Sequence, residues 1–89
     1  MGTTIGNVLI SYDINKSYPQ VKSDMEKLGY LESFRYENDS KIYLLPNTTL
    51  WHPTKSSDQA MADLKNVCRN QSVTLEKAVT VRASEFVGL

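Results

Sequence analysis

The chain has little of what staples small secreted or metal-bound folds together. Cys68 is its only cysteine, so no internal disulfide can form and no multi-cysteine metal site can be built. His52 is the only histidine and Trp51 the only tryptophan. Neither sign of charge prevails: ten Lys plus Arg stand against ten Asp plus Glu, which excludes a net positive field that would draw the chain onto a polyanion. Long apolar runs are also missing. The stretches Asn7 to Ile10 and Ile42 to Leu45 fall far short of a membrane-crossing helix, and the N-terminus lacks a charged start followed by an apolar block. These absences predict a cytoplasmic protein that makes no use of a membrane.

What is present is ordinary globular composition, 40% hydrophobic and 22% charged in 89 residues, enough to close one core and too little for two. We therefore expect a single domain over residues 1–89, with tails at 1–5 and 84–89. Asn7 to Tyr12 reads as a first strand. Ser17-Tyr18-Pro19-Gln20 has the spacing of a capping box and opens a helix that carries Val21, Met25 and Leu28 on one stripe and stops at Gly29. Tyr30 to Tyr36 and Lys41 to Leu45 alternate as two strands around a turn at Glu37-Asn38-Asp39-Ser40, and Pro46 closes the second. Asn47 to Lys55 is polar apart from Leu50-Trp51-His52 and reads as a long loop, a lid or an arm. A second capping box, Ser56-Ser57-Asp58-Gln59, opens a helix with Ala60, Met61, Leu64, Val67 and Cys68 on its apolar stripe, where Cys68 is a small core hydrophobe. The most strand-like residues after it are Ala78 to Val81. The order is βαββαβ, which predicts an α+β, ferredoxin-like fold: a four-stranded antiparallel sheet with two helices on one face.

Strand alternation then sorts side chains by face. Val8, Ile10, Ile42, Leu44, Val79 and Val81 are expected beneath the helices. That leaves Leu9, Leu31, Tyr43 and Leu45 on an open face, together with Ser11 and Asp13, and predicts that a second copy covers it as a homodimer. The rival is that the tail, through Phe86 and Val87, folds over this face within one chain.

Asp13 is the chemical candidate, at the end of the first strand and on the open side. In a two-fold dimer it would meet its own copy, and two carboxylates with water and a substrate phosphate suit Mg²⁺. The plain alternative is an Asx-turn into the first helix. His52 on its loop offers a general acid or base, set against the role of a bystander. The aromatics Tyr12, Tyr30, Phe34, Tyr36 and Tyr43 suggest a base-stacking sheet, although Lys41-Ile42-Tyr43-Leu44-Leu45 lacks the glycine and aromatic pattern of RNA-recognition strands.

Val8-Leu9-Ile10-Ser11-Tyr12-Asp13 resembles the first strand of the small CRISPR-associated nucleases of the spacer-acquisition complex, and of their stand-alone bacterial relatives. The resemblance covers nearly the whole chain as an order of elements and rests on Tyr12-Asp13 as its motif. It implies a ferredoxin-like homodimer in which Asp13 of each copy flanks a magnesium-dependent endoribonuclease site, or a nucleic-acid-binding scaffold that keeps Asp13 as a remnant. The sequence departs from that family in its first helix, which has Lys22 and Lys27 but no arginine, and in Glu32-Ser33-Phe34-Arg35, which follows the family strand only loosely. The alternative is a non-catalytic interaction module, a toxin–antitoxin or regulatory partner, that uses the open face.

Overall fold

A computed structural model describes residues 2–35, 40–84 and 87. Its elements run β1 (Gly6–Ile14), α1 (Tyr18–Lys27), β2 (Ser33–Phe34), β3 (Tyr43–Leu44), β4 (Thr49–Lys55), α2 (Ser57–Asn70) and β5 (Leu75–Arg82). The α+β class holds and both helices fall where the apolar stripes put them. The four-stranded ferredoxin-like sheet does not. Three strands form one sheet in the order β4-β1-β5, all antiparallel, and β2 and β3 pair separately.

The reason is local hydrogen bonding. Beyond β4, among the described residues, a single bridge forms, in which Leu31 and Trp51 exchange both backbone bonds, Leu31 N–H to Trp51 O at 2.8 Å and the return at 3.0 Å. To extend that ladder, Ser33 would have to pair with Thr49. Both are already committed: the Ser33 carbonyl accepts the Trp51 indole N–H at 2.7 Å, and Thr49 N–H donates to Pro46 O at 3.1 Å. The segment therefore peels away, and β2 takes β3 as its partner. The turn predicted at 37–40 lies outside the described residues apart from Ser40.

The segment Asn47 to Lys55, expected as a long loop, also differs. Most of it is β4, hydrogen-bonded to β1 with Leu9 opposite Trp51 and Ile10 opposite Leu50. Its alternation is genuine, with Leu50 and His52 buried and Thr49 and Trp51 turned the other way. A proline inside a strand argues against a ladder, since it cannot donate. Here a register shift between Gly6 and Val8 sets two residues of β4, Pro53 and Thr54, against one of β1, Asn7, and carries Pro53 through the irregularity.

The core lies between the three-stranded sheet and the helices. Val8, Ile10, Tyr12 and Ile14 of β1 meet Val21 and Met25 of α1 and Ala60, Leu64, Val67 and Cys68 of α2. Cys68 is a core residue as expected, and burial raises its thiol pKa. The second capping box is complete: Ser56 Oγ accepts Gln59 N–H at 3.1 Å, and Gln59 Oε1 accepts Ser56 N–H at 2.9 Å. The first is not. Ser17 sits in the left-handed region at φ 61° and its side chain caps nothing. Gly29 ends α1 at φ 97° as predicted.

Two face assignments change. Val79 and Val81 lie opposite Ser11 and Leu9 on the open side, and are 55% and 46% exposed. The register of β5 against β1 turns Ala78 and Thr80 to the helix side, opposite Tyr12 and Ile10, where the Thr80 hydroxyl donates to the Ser57 carbonyl at 3.0 Å. Ile42 and Leu44 are exposed and outside the core.

Candidate functional site

The open face can be read as rows of cross-strand neighbours. One row is apolar throughout: Leu31, Trp51, Leu9 and Val81 follow one another from the bridge across β4 and β1 to β5. Leu9 and Trp51 are half-buried, while Leu31 is 42% exposed. The next row, Thr49, Ser11 and Val79, is mixed. The last is ionic, with Asp13 directly opposite Lys77. Directly opposite residues on one face have Cβ atoms about 5 Å apart, so the rows are continuous surface.

Asp13 lies where strand parity put it, exposed and on the side away from the helices, since its neighbours Tyr12 and Ile14 are buried. It shares a shallow depression with Ser11, Lys77 and Val79. The register of β1 against β5 shifts just after it, between Asp13 and Ile14. Such irregularities re-aim the adjacent side chain. Among the described residues no group of three or more His, Cys, Asp and Glu side chains stands close enough to hold a metal. One chain thus offers Mg²⁺ a single carboxylate here, which is not a site on its own.

Of the other residues predicted for the face, Leu9 and Leu31 are in the apolar row. Tyr43 stacks on Phe34 with ring centroids 5.4 Å apart in the separate β2-β3 pair, and Leu45 N–H donates to the Glu32 carbonyl at 2.8 Å just beyond it. Tyr12 and Tyr30 are core residues, which removes them from any stacking platform. Tyr36 and Phe86 lie outside the described residues, and Val87 is exposed.

His52 is neither on a loop nor free to transfer protons. It is 8% exposed. Its Nε2 stands 3.2 Å from the Leu28 carbonyl and its Nδ1 accepts Thr54 N–H at 3.1 Å. A carbonyl can only accept and a backbone N–H can only donate, so the ring is the neutral Nε2–H tautomer with both nitrogens satisfied. Burial accordingly lowers its pKa below the usual 6.5. Tyr30 meets the ring edge-on at 4.9 Å. The Tyr30 hydroxyl donates to Asp63 Oδ2 at 2.8 Å, Asp63 also pairs with Lys55, and the Lys55 ammonium stands 5.5 Å from the Tyr30 ring centroid. Burial first, then the Asp63 carboxylate, pushes the phenol pKa upward. This quartet has catalytic residue types, yet each polar group in it is already paired. It fastens the end of α1 to β4 and α2.

Fold and face together define a small α+β domain with helices on one side of a three-stranded sheet and an apolar row, flanked by one acid and one lysine, on the other. Comparison with protein-family models, curated proteins and solved structures finds no match to the chain. Among the described residues no helix is long and apolar enough to cross a membrane.

Proposed function

We propose that the domain is a self-associating interaction module whose open sheet face is covered by a second copy of the chain. The row Leu31, Trp51, Leu9, Val81 carries this reading, because it is contiguous apolar surface left outside the core. It is also complementary to itself. A two-fold axis parallel to β1 lays Leu31 of one copy over Val81 of the other, and Trp51 over Leu9. Charge does not oppose the contact, since the face carries Asp13 beside Lys77 in a chain of zero formal net charge. At ~25 cal/mol per Å² of apolar surface removed from water, covering this row on both copies contributes several kcal/mol toward the cost of association. Light scattering after size exclusion tests the idea. Wild type should elute as a dimer and Val81→Asp as a folded monomer. A wild type that stays monomeric at every concentration refutes it.

A second reading is favoured by the position of Asp13 on this same face. The same axis brings the two Asp13 side chains to one end of the interface, where a pair of carboxylates would fit Mg²⁺ as one chain does not. This supports the metal-dependent endoribonuclease that the family resemblance implies. Cleavage of single-stranded RNA with Mg²⁺, abolished by Asp13→Ala with the dimer intact, is the expected result; equal inertness of both proteins removes it.

A further inference from the structure

On the helix side, away from the open face, a cleft of about 310 Å³ lies between the first turn of α1 and the turn before β4, lined by Tyr12, Tyr18, Pro19, Lys22, Asn47 and Thr48. Tyr12 is its unusual member. The residue is 3% exposed, and its hydroxyl makes no hydrogen bond to any described residue. Even so, no side-chain oxygen or nitrogen among the described residues is both sealed from solvent and unpartnered. The Tyr12 hydroxyl therefore reaches open space, and on the helix side of β1 the space Tyr12 lines is this cleft. Burial raises its pKa to about 12, so it is a neutral O–H donor at physiological pH.

The helix contributes donors as well. Tyr18 and Pro19 are the first residues of the ten-residue α1, whose first backbone bond is Val21 N–H to Ser17 O at 3.0 Å. Tyr18 and Gln20 N–H precede that bond, and neither a side-chain cap nor an acid in the first turn satisfies or neutralises this end. Two of the three non-glycine residues at positive φ among the described residues, Ser17 at 61° and Thr48 at 62°, flank the cleft. A β-branched residue in that region is strained, and strain concentrates where structure serves a ligand. Lys22 supplies an ammonium on the wall, paired with Glu32, and Glu26 lies one helical turn beyond it.

We infer that this cleft binds the phosphate group of a small phosphorylated ligand, with Tyr12 O–H, Lys22, Asn47 and the uncapped start of α1 as donors and the Tyr18 and Pro19 rings supporting the ligand's body. A phosphate has three strong acceptor oxygens to meet several converging donors. The inference is independent of the dimer, which uses the other side of the sheet.

The test is an amide-resolved NMR titration with inorganic phosphate, with a nucleoside monophosphate, and with the matching unphosphorylated nucleoside. Phosphate at millimolar concentration should shift Tyr18, Gln20 and Thr48 amides saturably. The monophosphate should bind more tightly than phosphate if the ligand body is recognised, and equally if free phosphate is the ligand; the nucleoside alone should shift nothing. Tyr12→Phe gives up no hydrogen bond to any described residue, so it should fold normally while weakening phosphate binding about tenfold, the effect of one hydrogen bond to a charged group. Lys22→Gln should also weaken it. Unchanged affinity in folded Tyr12→Phe, or shifts that do not saturate or that track surface lysines and vanish in moderate salt, would overturn the proposal.

Discussion

Lowering the pH should loosen this fold well above the range in which carboxylates titrate, and His52 is the reason. Protonation would place an N–H at Nδ1 against the Thr54 N–H that it now accepts, and would put a charge in a site that is 8% exposed. Burial lowers the folded-state pKa below the unfolded value of about 6.5. Between those two values the unfolded chain binds the proton and the folded chain does not, so stability rises with pH. The contribution is complete above about pH 6.5 and is lost as pH falls from there toward the folded-state value, at a limiting slope of ~1.4 kcal/mol per pH unit for one proton. Urea midpoints measured between about pH 7.5 and pH 5.5 isolate this range from the carboxylates. Wild type should lose stability across it, by no more than the roughly 1.4 kcal/mol that one proton bound only by the unfolded chain can supply over this window. His52→Gln keeps an amide donor for the Leu28 carbonyl but has no group that titrates, so it should be less stable at neutral pH and nearly flat below it. A flat wild-type profile, or an equal slope in the variant, would refute the assignment of the neutral tautomer as the folded form.

Two further substitutions probe the same corner. Gly29→Ala sets a side chain at φ 97° with its Cβ 2.8 Å from His52 Nε2, and should cost at least ~2 kcal/mol in chemical denaturation. Tyr30→Phe removes the hydroxyl that donates to Asp63 while the Lys55 pair remains, and should cost about 1–2 kcal/mol with an unchanged denaturant slope.

Elements whose signals were local could be read directly. β1 was legible as an apolar alternation, α1 from its stripe and Gly29, and α2 from a capping box whose two hydrogen bonds both form. The misreadings share one cause: side chains that decide where a ladder runs. The sequence pattern of β4 reads as a loop because one of its inward positions is a histidine and Pro53 interrupts it, and the histidine is tolerable inside only because Leu28 and Thr54 satisfy its nitrogens. The fourth strand failed because an indole N–H took a carbonyl that pairing needed, a competition that pattern cannot show. Hydrophobicity alone favours Val79 and Val81 inward, whereas the register against β1 turns Ala78 and Thr80 there, and the Thr80 hydroxyl is satisfied by the Ser57 carbonyl. The side on which Asp13 lies followed from parity alone. The neighbours it acquires, Lys77 and Val79, depend on a register that only the folded sheet fixes.

The strand order has a temporal meaning as well. Because β1 is the middle strand, the apolar row draws on residues near the start of the sequence, its centre and the far strand β5. Long-range pairings of this sort form late in folding, since the loops must close first. Under the proposed self-association, the row reaches its full width only when Val81 comes alongside Leu9, so assembly would depend on the completed three-stranded sheet.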